Sequence, residues 1–263
     1  MNTTKTIAYI TDWLKNYCDS AGMDGFVVGV SGGIDSAVTS TLCAKTKLKV
    51  IAINIPIYQN IDQTFLSIQH IDWLQATYDP VSGLTVELSD AFKALEGTLP
   101  GKIQDDLTMA NTRSRLRMLT LFAFANHHRL LVAGTGNKVE DFGVGFFTKY
   151  GDGGVDLLPI ADLMKSEVYA LAEALGISKA IIQAPPTDGL WADNRTDEAQ
   201  IGATYAELEW AMQFEENPMD EAGLSSRKRK VLTIYRQLNR INRHKMIPIP
   251  VCKIPEKFRQ AMD

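Results

Sequence analysis

A chain of 263 residues, 45% hydrophobic and 22% charged, has the composition of a folded globular protein with material for one substantial core or one core plus a small appendage. A formal net charge of −4 weighs slightly against a nucleic-acid binder, and no apolar run is long enough for a transmembrane helix. The start MNTTKTIAYI lacks the features of a secretory signal, and the widely spaced Cys18, Cys43 and Cys252 read as free thiols of a reducing, cytoplasmic compartment.

Taken in chain order, residues 4 to 20 form an amphipathic helix with Ile7, Ile10, Trp13, Leu14 and Tyr17 at helical spacing. A buried strand follows over Phe26 to Val30, then the turn Ser31-Gly32-Gly33 and a helix over Asp35 to Lys45. A second strand spans Val50 to Ile55, a helix 62 to 76, a short strand 84 to 88, a long helix 109 to 127 and a strand Leu130 to Ala133. The long helix carries the apolar stripe Met109, Leu116, Leu119, Phe122 and Phe124, available for a core or an interface. Residues 143 to 160 are glycine-rich, a helix covers 163 to 175, and Pro185-Pro186 opens a polar loop to about residue 196. Two closing helices are expected over 197 to 214 and 225 to 242, the last packing through Val231, Ile234, Leu238 and Ile241.

Alternating strands and helices predict an α/β fold, a doubly wound parallel sheet in a Rossmann-like three-layer α/β/α arrangement. The ligand of such a sheet lies beyond the carboxyl ends of its strands, here the turns after Val30, Ile55 and Ala133. No repeat, low-complexity tract or internal boundary divides the chain, so residues 1 to 263 read as one domain. Charge is uneven: ten acidic residues and one arginine lie between Thr187 and Glu221, and eight lysines and arginines with no acid between Arg227 and Lys245. The basic run reads either as a solvated helix face or as a surface for the phosphates of a small anionic ligand; no aromatic ladder accompanies it to stack single-stranded nucleic acid.

The strongest local signal is Val28-Gly29-Val30-Ser31-Gly32-Gly33-Ile34-Asp35-Ser36. Adjacent glycines expose several N–H groups, Ser31 and Ser36 add hydroxyls, and the following helix contributes its positive end, which together suit a pyrophosphate. Asp35 would repel a phosphate unless a cation intervened, which points to magnesium. The pattern is neither GxxxxGK[ST] nor GxGxxG, and its plain alternative is a helix-capping turn. A second acidic group follows the fourth strand, in GTGNKVED and then FFTKYGDGGVD, where Glu140 and Asp152 offer hard oxygen ligands. His127 and His128 are not spaced like a zinc site and read as solvent-facing helix-end residues.

Ser31-Gly32-Gly33-Ile34-Asp35-Ser36 resembles the SGGxDS signature of the N-type ATP pyrophosphatases, which cleave ATP between the α and β phosphates and form adenylated intermediates. GTGNKVE, FFTKYGDGGVD and LMKSEV resemble, more narrowly, the ammonia-dependent NAD synthetases, and the resemblance runs from about residue 7 to 248. It implies ATP-binding by Gly29, Ser31, Gly32, Gly33, Asp35, Ser36, Arg115, Thr135, Lys165 and Thr187, and magnesium held by Asp35 and Glu140. Phe146, Lys149, Asp152, Asp156, His244 and Lys245 would contact deamido-NAD, and Asp35, Asp152 and Lys165 would carry the chemistry.

Two departures matter. The interval from Glu140 to Asp152 is one residue longer than in some bacterial relatives, so Asp141 is an alternative metal ligand, with Asp152 a further one. Pro186-Thr187-Asp188-Gly189-Leu190-Trp191 differs from the more familiar PSADLW form, though the Thr187 hydroxyl preserves the chemistry.

The implied reaction is adenylation of a nicotinate carboxylate by ATP, then attack by ammonia with loss of AMP, with residues 188 to 196 and the carboxy-terminal segment enclosing the intermediate. Implied partners are deamido-NAD, ATP, ammonia and a second copy in a homodimer, with neither nucleic acid nor membrane. The chain leaves no room for a glutamine-hydrolysing domain, and its cysteines have no local acid–base partner, which favours free ammonia. Competing readings are amidation of nicotinate mononucleotide or a purine nucleotide, a tRNA-modifying enzyme, or a noncatalytic ATP-binding module.

Overall fold

A computed structural model describes residues 1–59, 61–187, 196–217 and 220–259. The chain opens with α1 (Thr3–Ser20), whose Asn2 cap accepts from the Lys5 N–H at 3.0 Å and whose Ile7, Ile10, Leu14 and Cys18 form the buried face. β1 (Gly25–Gly29) leads to α2 (Ile34–Lys45), β2 (Lys49–Asn54), α3 (Ile61–Thr77), β3 (Val81–Thr85) and α4 (Ser89–Thr98). α5 (Asp106–His128) and the short β4 (Leu131–Val132) precede a π-helical turn, Val139–Val144. Then come α6 (Lys165–Leu175), α7 (Lys179–Gln183), α8 (Asp197–Ile201), α9 (Tyr205–Glu216) and α10 (Ser226–Met246).

The four strands are parallel in the order β3-β2-β1-β4, with β1 paired to β2 from Gly25↔Lys49 to Gly29↔Ile53 and to β4 at Phe26↔Leu131 and Val27↔Val132. Such crossovers require helices on both faces, and the β1 residues Phe26, Val27 and Val28 are fully buried. One core cluster joins α1, α2 and α6 on one face, and another sets β1 and β2 against α5 on the other, giving the three-layer α/β/α arrangement. A separate apolar cluster joins α9 and α10 to the π-helical turn through Leu208, Ala211, Val231, Tyr235, Val139 and Val144.

Most expected elements are present, with four corrections. The strand expected at 84 to 88 lies at Val81–Thr85, because pairing with β2 runs from Val50↔Val81 to Asn54↔Thr85 and starts directly after Pro80. The helix expected over 197 to 214 is two helices: α8 stops before Gly202, and α9 restarts after Thr204, whose side chain accepts from the Glu207 N–H while Glu207 reaches back to the Thr204 N–H. Ile241, expected to pack, is 55% exposed on α10; the α5 stripe, left open between core and interface, divides, with Met109 buried and Leu119 exposed. Finally, α4 and α7 were not anticipated, being short and carrying one buried apolar residue each, Phe92 and Ile181. Cys18 and Cys43 are buried free thiols and Cys252 is an exposed one. No helix among the described residues is long and apolar enough to cross a membrane.

Candidate functional site

The turn after β1 is held by its own serines. The Ser36 hydroxyl accepts from the Ser31 N–H at 3.1 Å and donates to the Gly33 carbonyl at 2.9 Å, while Ser31 Oγ accepts from the Gly33 N–H at 3.2 Å. Gly32 has φ +87°, and a Cβ there would sit 2.6 Å from the Gln63 carbonyl oxygen, so both conformation and space demand glycine. Gly33 caps α2 without a side chain, leaving the first-turn N–H groups and the helix's positive end open to an anion.

Asp35, in that first turn, meets residues brought from three other elements. Asn137 Nδ2 donates to Asp35 Oδ1 at 3.1 Å, and Lys165 Nζ donates to Asp35 Oδ2 at 2.6 Å and to Glu140 Oε1 at 2.9 Å. The Tyr205 hydroxyl donates to the same Glu140 oxygen at 2.5 Å, and the Lys165 ammonium lies 4.7 Å from the Tyr205 ring centroid. Lys165 opens α6 with its side chain only 3% exposed. Burial alone would drive this ammonium towards neutrality; the two carboxylates outweigh it and hold the proton on. Burial raises the Asp35 carboxyl against the pull of Lys165, with the Glu140 charge adding to the rise. Burial also acts to raise Glu140, but Lys165, Tyr205 and Asn137 together bring it below the ordinary range.

The π-helical turn Val139–Val144 carries Glu140 and Asp141 side by side in its first turn. Its widened bonding, with the Gly145 N–H donating to the Glu140 carbonyl five residues back, places one more residue in the turn than an α-helix would. Glu140 thereby reaches Lys165. Asp141 is buried against Gly136, where a Cβ would stand 1.9 Å from Asp141 Oδ2. Burial, then the Glu140, Asp152 and Asp35 charges, raise the Asp141 carboxyl well above its ordinary range.

Asp152 stands apart from this cluster. Its Oδ1 accepts from Ser114 Oγ at 2.7 Å and from the Thr148 N–H at 3.0 Å, and burial raises its carboxyl against those bonds. Near it, Lys245 donates to the Phe147 carbonyl at 2.7 Å and Lys149 to the His244 carbonyl at 2.7 Å, which ties the end of α10 to the glycine-rich loop. Arg115 donates to the Lys149 carbonyl at 3.3 Å. Phe146 packs in the α9–α10 cluster, and Asp156 accepts from the Val132 N–H at 2.7 Å, extending the edge of β4. Gly29 ends β1, Thr135 follows β4, and Thr187 is half-buried beyond α7. Of the enclosing loop expected over 188 to 196, residues 188–195 lie outside the described residues. His127 is exposed at the end of α5, as expected, while His128 is half-buried with Lys49 Nζ at 3.3 Å from its Nδ1.

Sequence reasoning did not single out Asn137, Ser114 or Tyr205. Asn137 sits inside the recognised GTGNKVE run and could have been found there. Nothing local marks Tyr205, 40 residues beyond Lys165. Among the described residues no three His, Cys, Asp or Glu side chains form a metal-binding group. An open groove of about 430 Å³ lined by Lys138, Phe142, Leu158, Ala161 and Asp162 shares no residue with the carboxylate cluster.

Comparison with known proteins gives a consistent set of matches. The sequence model described as NAD synthase matches residues 6–248. An NH3-dependent NAD+ synthetase of Methanosarcina acetivorans is 36% identical over 95% of this chain and 98% of its own length. A structure of an NMN synthetase from Francisella tularensis superposes with a TM-score of 0.83 at 30% identity, covering 97% of this chain and 99% of that one. An NH3-dependent NAD synthetase from Campylobacter jejuni shares the fold with a TM-score of 0.79 at 22% identity, covering 96% of this chain and all of the other.

Proposed function

The chain belongs to the NAD synthase family, and on that premise we propose that Asp35, Glu140 and Lys165 form the chemical centre of its active site. The reaction is ATP-dependent amidation of deamido-NAD with ammonia, a ligase reaction yielding NAD, AMP and pyrophosphate. The observation that carries the assignment of the centre is the Lys165 ammonium bonded to both carboxylates beside the open amino terminus of α2.

A nicotinate carboxylate attacks the α-phosphorus and pyrophosphate leaves, received by the N–H groups at the start of α2 and the Ser31-Gly32-Gly33 turn. Lys165 steadies the charge that develops on the departing phosphates, with Thr187 and Arg115 as further ATP contacts. The residues fit magnesium: two hard carboxylates from separate elements already share one cation, and substrate phosphates can complete the shell of an ion that needs few protein ligands. When bound by Asp35 and Glu140, magnesium supplies charge neutralisation and alignment of the triphosphate. Asp141 is excluded from this role in our reading by its burial against Gly136, and Asp152 is assigned to the substrate with Phe146, Lys149, Asp156, His244 and Lys245. Ammonia then attacks the activated carbonyl, with no covalent enzyme intermediate.

Residues 1 to 263 act as one domain in this reading, in the cytoplasm and as a homodimer, with the exposed Leu119 side of α5 as the contact surface. The Francisella neighbour supports a second reading of the substrate, nicotinate mononucleotide, with the same chemistry. A product assay decides: the chain, ATP, magnesium and ammonium chloride with either deamido-NAD or nicotinate mononucleotide. Faster formation of NAD supports the first substrate, and faster formation of nicotinamide mononucleotide replaces it with the second. Pyrophosphate release with neither, but with another acyl acceptor, would remove the pyridine nucleotide altogether.

A further inference from the structure

Tyr205 is buried in the charged cluster but belongs to an element remote from the motifs that form it. It begins α9, and that end of the helix is fixed three times over. Thr204 and Glu207 cap each other, Glu198 Oε1 accepts from the Tyr205 N–H at 2.8 Å, and Arg227 of α10 bonds both Glu207 oxygens. One turn further along, Glu209 accepts from the N–H of Ser166 at 2.7 Å and from its hydroxyl at 2.7 Å, at the residue after Lys165. α9 therefore grips the start of α6 with Glu209 and reaches Glu140 with Tyr205.

The phenol has one proton and two carboxylates near it, Glu140 at 2.5 Å and Asp197 at 3.2 Å, and the shorter contact takes the proton. A divalent cation between Asp35 and Glu140 would stand against the Lys165 ammonium, which already bonds one oxygen of each carboxylate, and two cations repel at that range. A neutral hydroxyl does not compete. It orients the carboxylate and leaves its charge in place, as outer hydrogen bonds do for metal-binding side chains.

We infer that Tyr205 is a positioning residue, which acts through Glu140 to hold that carboxylate in the orientation that takes a divalent cation as Lys165 gives way. The inference rests on the reading of Asp35 and Glu140 as cation ligands. It is tested by titrating the full chain with Mn2+ in the presence of α,β-methylene-ATP and following free Mn2+ by electron paramagnetic resonance. Tyr205→Phe, which keeps the ring, should weaken Mn2+ binding about tenfold. Loss of the hydroxyl of another buried tyrosine, Tyr235→Phe on α10, should not change it. In a Glu140→Gln background, Tyr205→Phe should have no further effect on Mn2+, whereas a merely structural role would give the same loss in both backgrounds. Wild-type affinity in a folded Tyr205→Phe overturns the inference while sparing the cation reading, and so does a Tyr205→Phe chain that fails to fold. Absence of Mn2+ binding to the wild-type chain overturns the cation reading and this inference together.

Discussion

Lys165 and Lys245 serve one π-helical turn, the first bonded to Glu140 and the second acting on the neighbouring Asp141, yet they are held in opposite ways. Lys165 is enclosed and donates to two carboxylates, which keep it charged in spite of burial. Lys245 is half-buried and donates to a backbone carbonyl, and there burial lowers its proton affinity more than Asp152 and Asp141 raise it. A cation enclosed between carboxylates leaves only when another positive charge takes its place, because an uncompensated buried charge costs a great deal. A cation resting on a carbonyl can exchange that contact for a ligand oxygen at little cost. In the proposed function, the difference separates a preorganised chemical centre from an adjustable substrate rim.

The largest effect should fall on the centre. Glu140→Gln removes the charge that holds Lys165 and that the proposed cation would use, and is expected to lower turnover by about 10²- to 10³-fold, the range seen when one preorganised charge contact is lost. Asp141→Asn, one residue away, is expected to leave turnover within a few-fold of wild type. Its signature is stability: the folded carboxyl is raised above 3.8, so its stabilising contribution is present below that value and lost as pH rises through the folded value. Asp141→Asn should therefore raise Tm at about pH 8 and leave it nearly unchanged at about pH 4. Steady-state rates and melts on both variants check this, and loss of turnover in Asp141→Asn alone would transfer the ligand role to Asp141.

At the rim, Lys245→Ala should raise KM for the pyridine nucleotide about tenfold with kcat nearly unchanged, as expected when binding common to substrate and transition state is removed. A fall in kcat with KM unaltered would place Lys245 in the chemistry and erase the contrast with Lys165.

The effect furthest from turnover lies behind the Ser31–Ser36 turn and falls on stability alone. His70 Nε2 is 3.0 Å from Ser40 Oγ, and the Ser40 hydroxyl donates to the Ser36 carbonyl at 2.7 Å. Burial lowers the His70 pKa from 6.5 to about 4. The unfolded chain then binds the extra proton first, so stability is full above 6.5 and declines as pH falls towards 4, by about 3 kcal/mol at most. Denaturant titrations across that range should show the decline in the wild type and a weaker one in His70→Gln.

The same division governs what the sequence disclosed. The Ser31–Ser36 turn is legible because its chemistry is local: glycines, serines and an aspartate within six residues determine both conformation and charge. Strands β1 and β2 are legible because burial on both faces makes them continuous apolar runs. β3, with serine and glycine at its centre, presents no such run and was misplaced by three residues at each end. Glu140 against Asp141 is not legible from spacing, because two adjacent carboxylates in one turn point to different neighbours, Lys165 for the first and Gly136 for the second. Tyr205 was invisible, since its role arises where α9 crosses the start of α6 and no periodicity encodes that crossing.

In the proposed function, the Asp35–Glu140–Lys165 centre activates a carboxylate by adenylation before ammonia is involved. Exchange of labelled pyrophosphate into ATP, measured with deamido-NAD and magnesium but without ammonia, isolates that half-reaction. The wild-type chain should exchange label only when the acyl substrate is present, and Asp35→Asn, folded and of near-normal Tm, should lose the exchange. Exchange that persists in Asp35→Asn would remove Asp35 from the centre, and exchange that runs equally well without any acyl substrate would rule out acyl adenylation there.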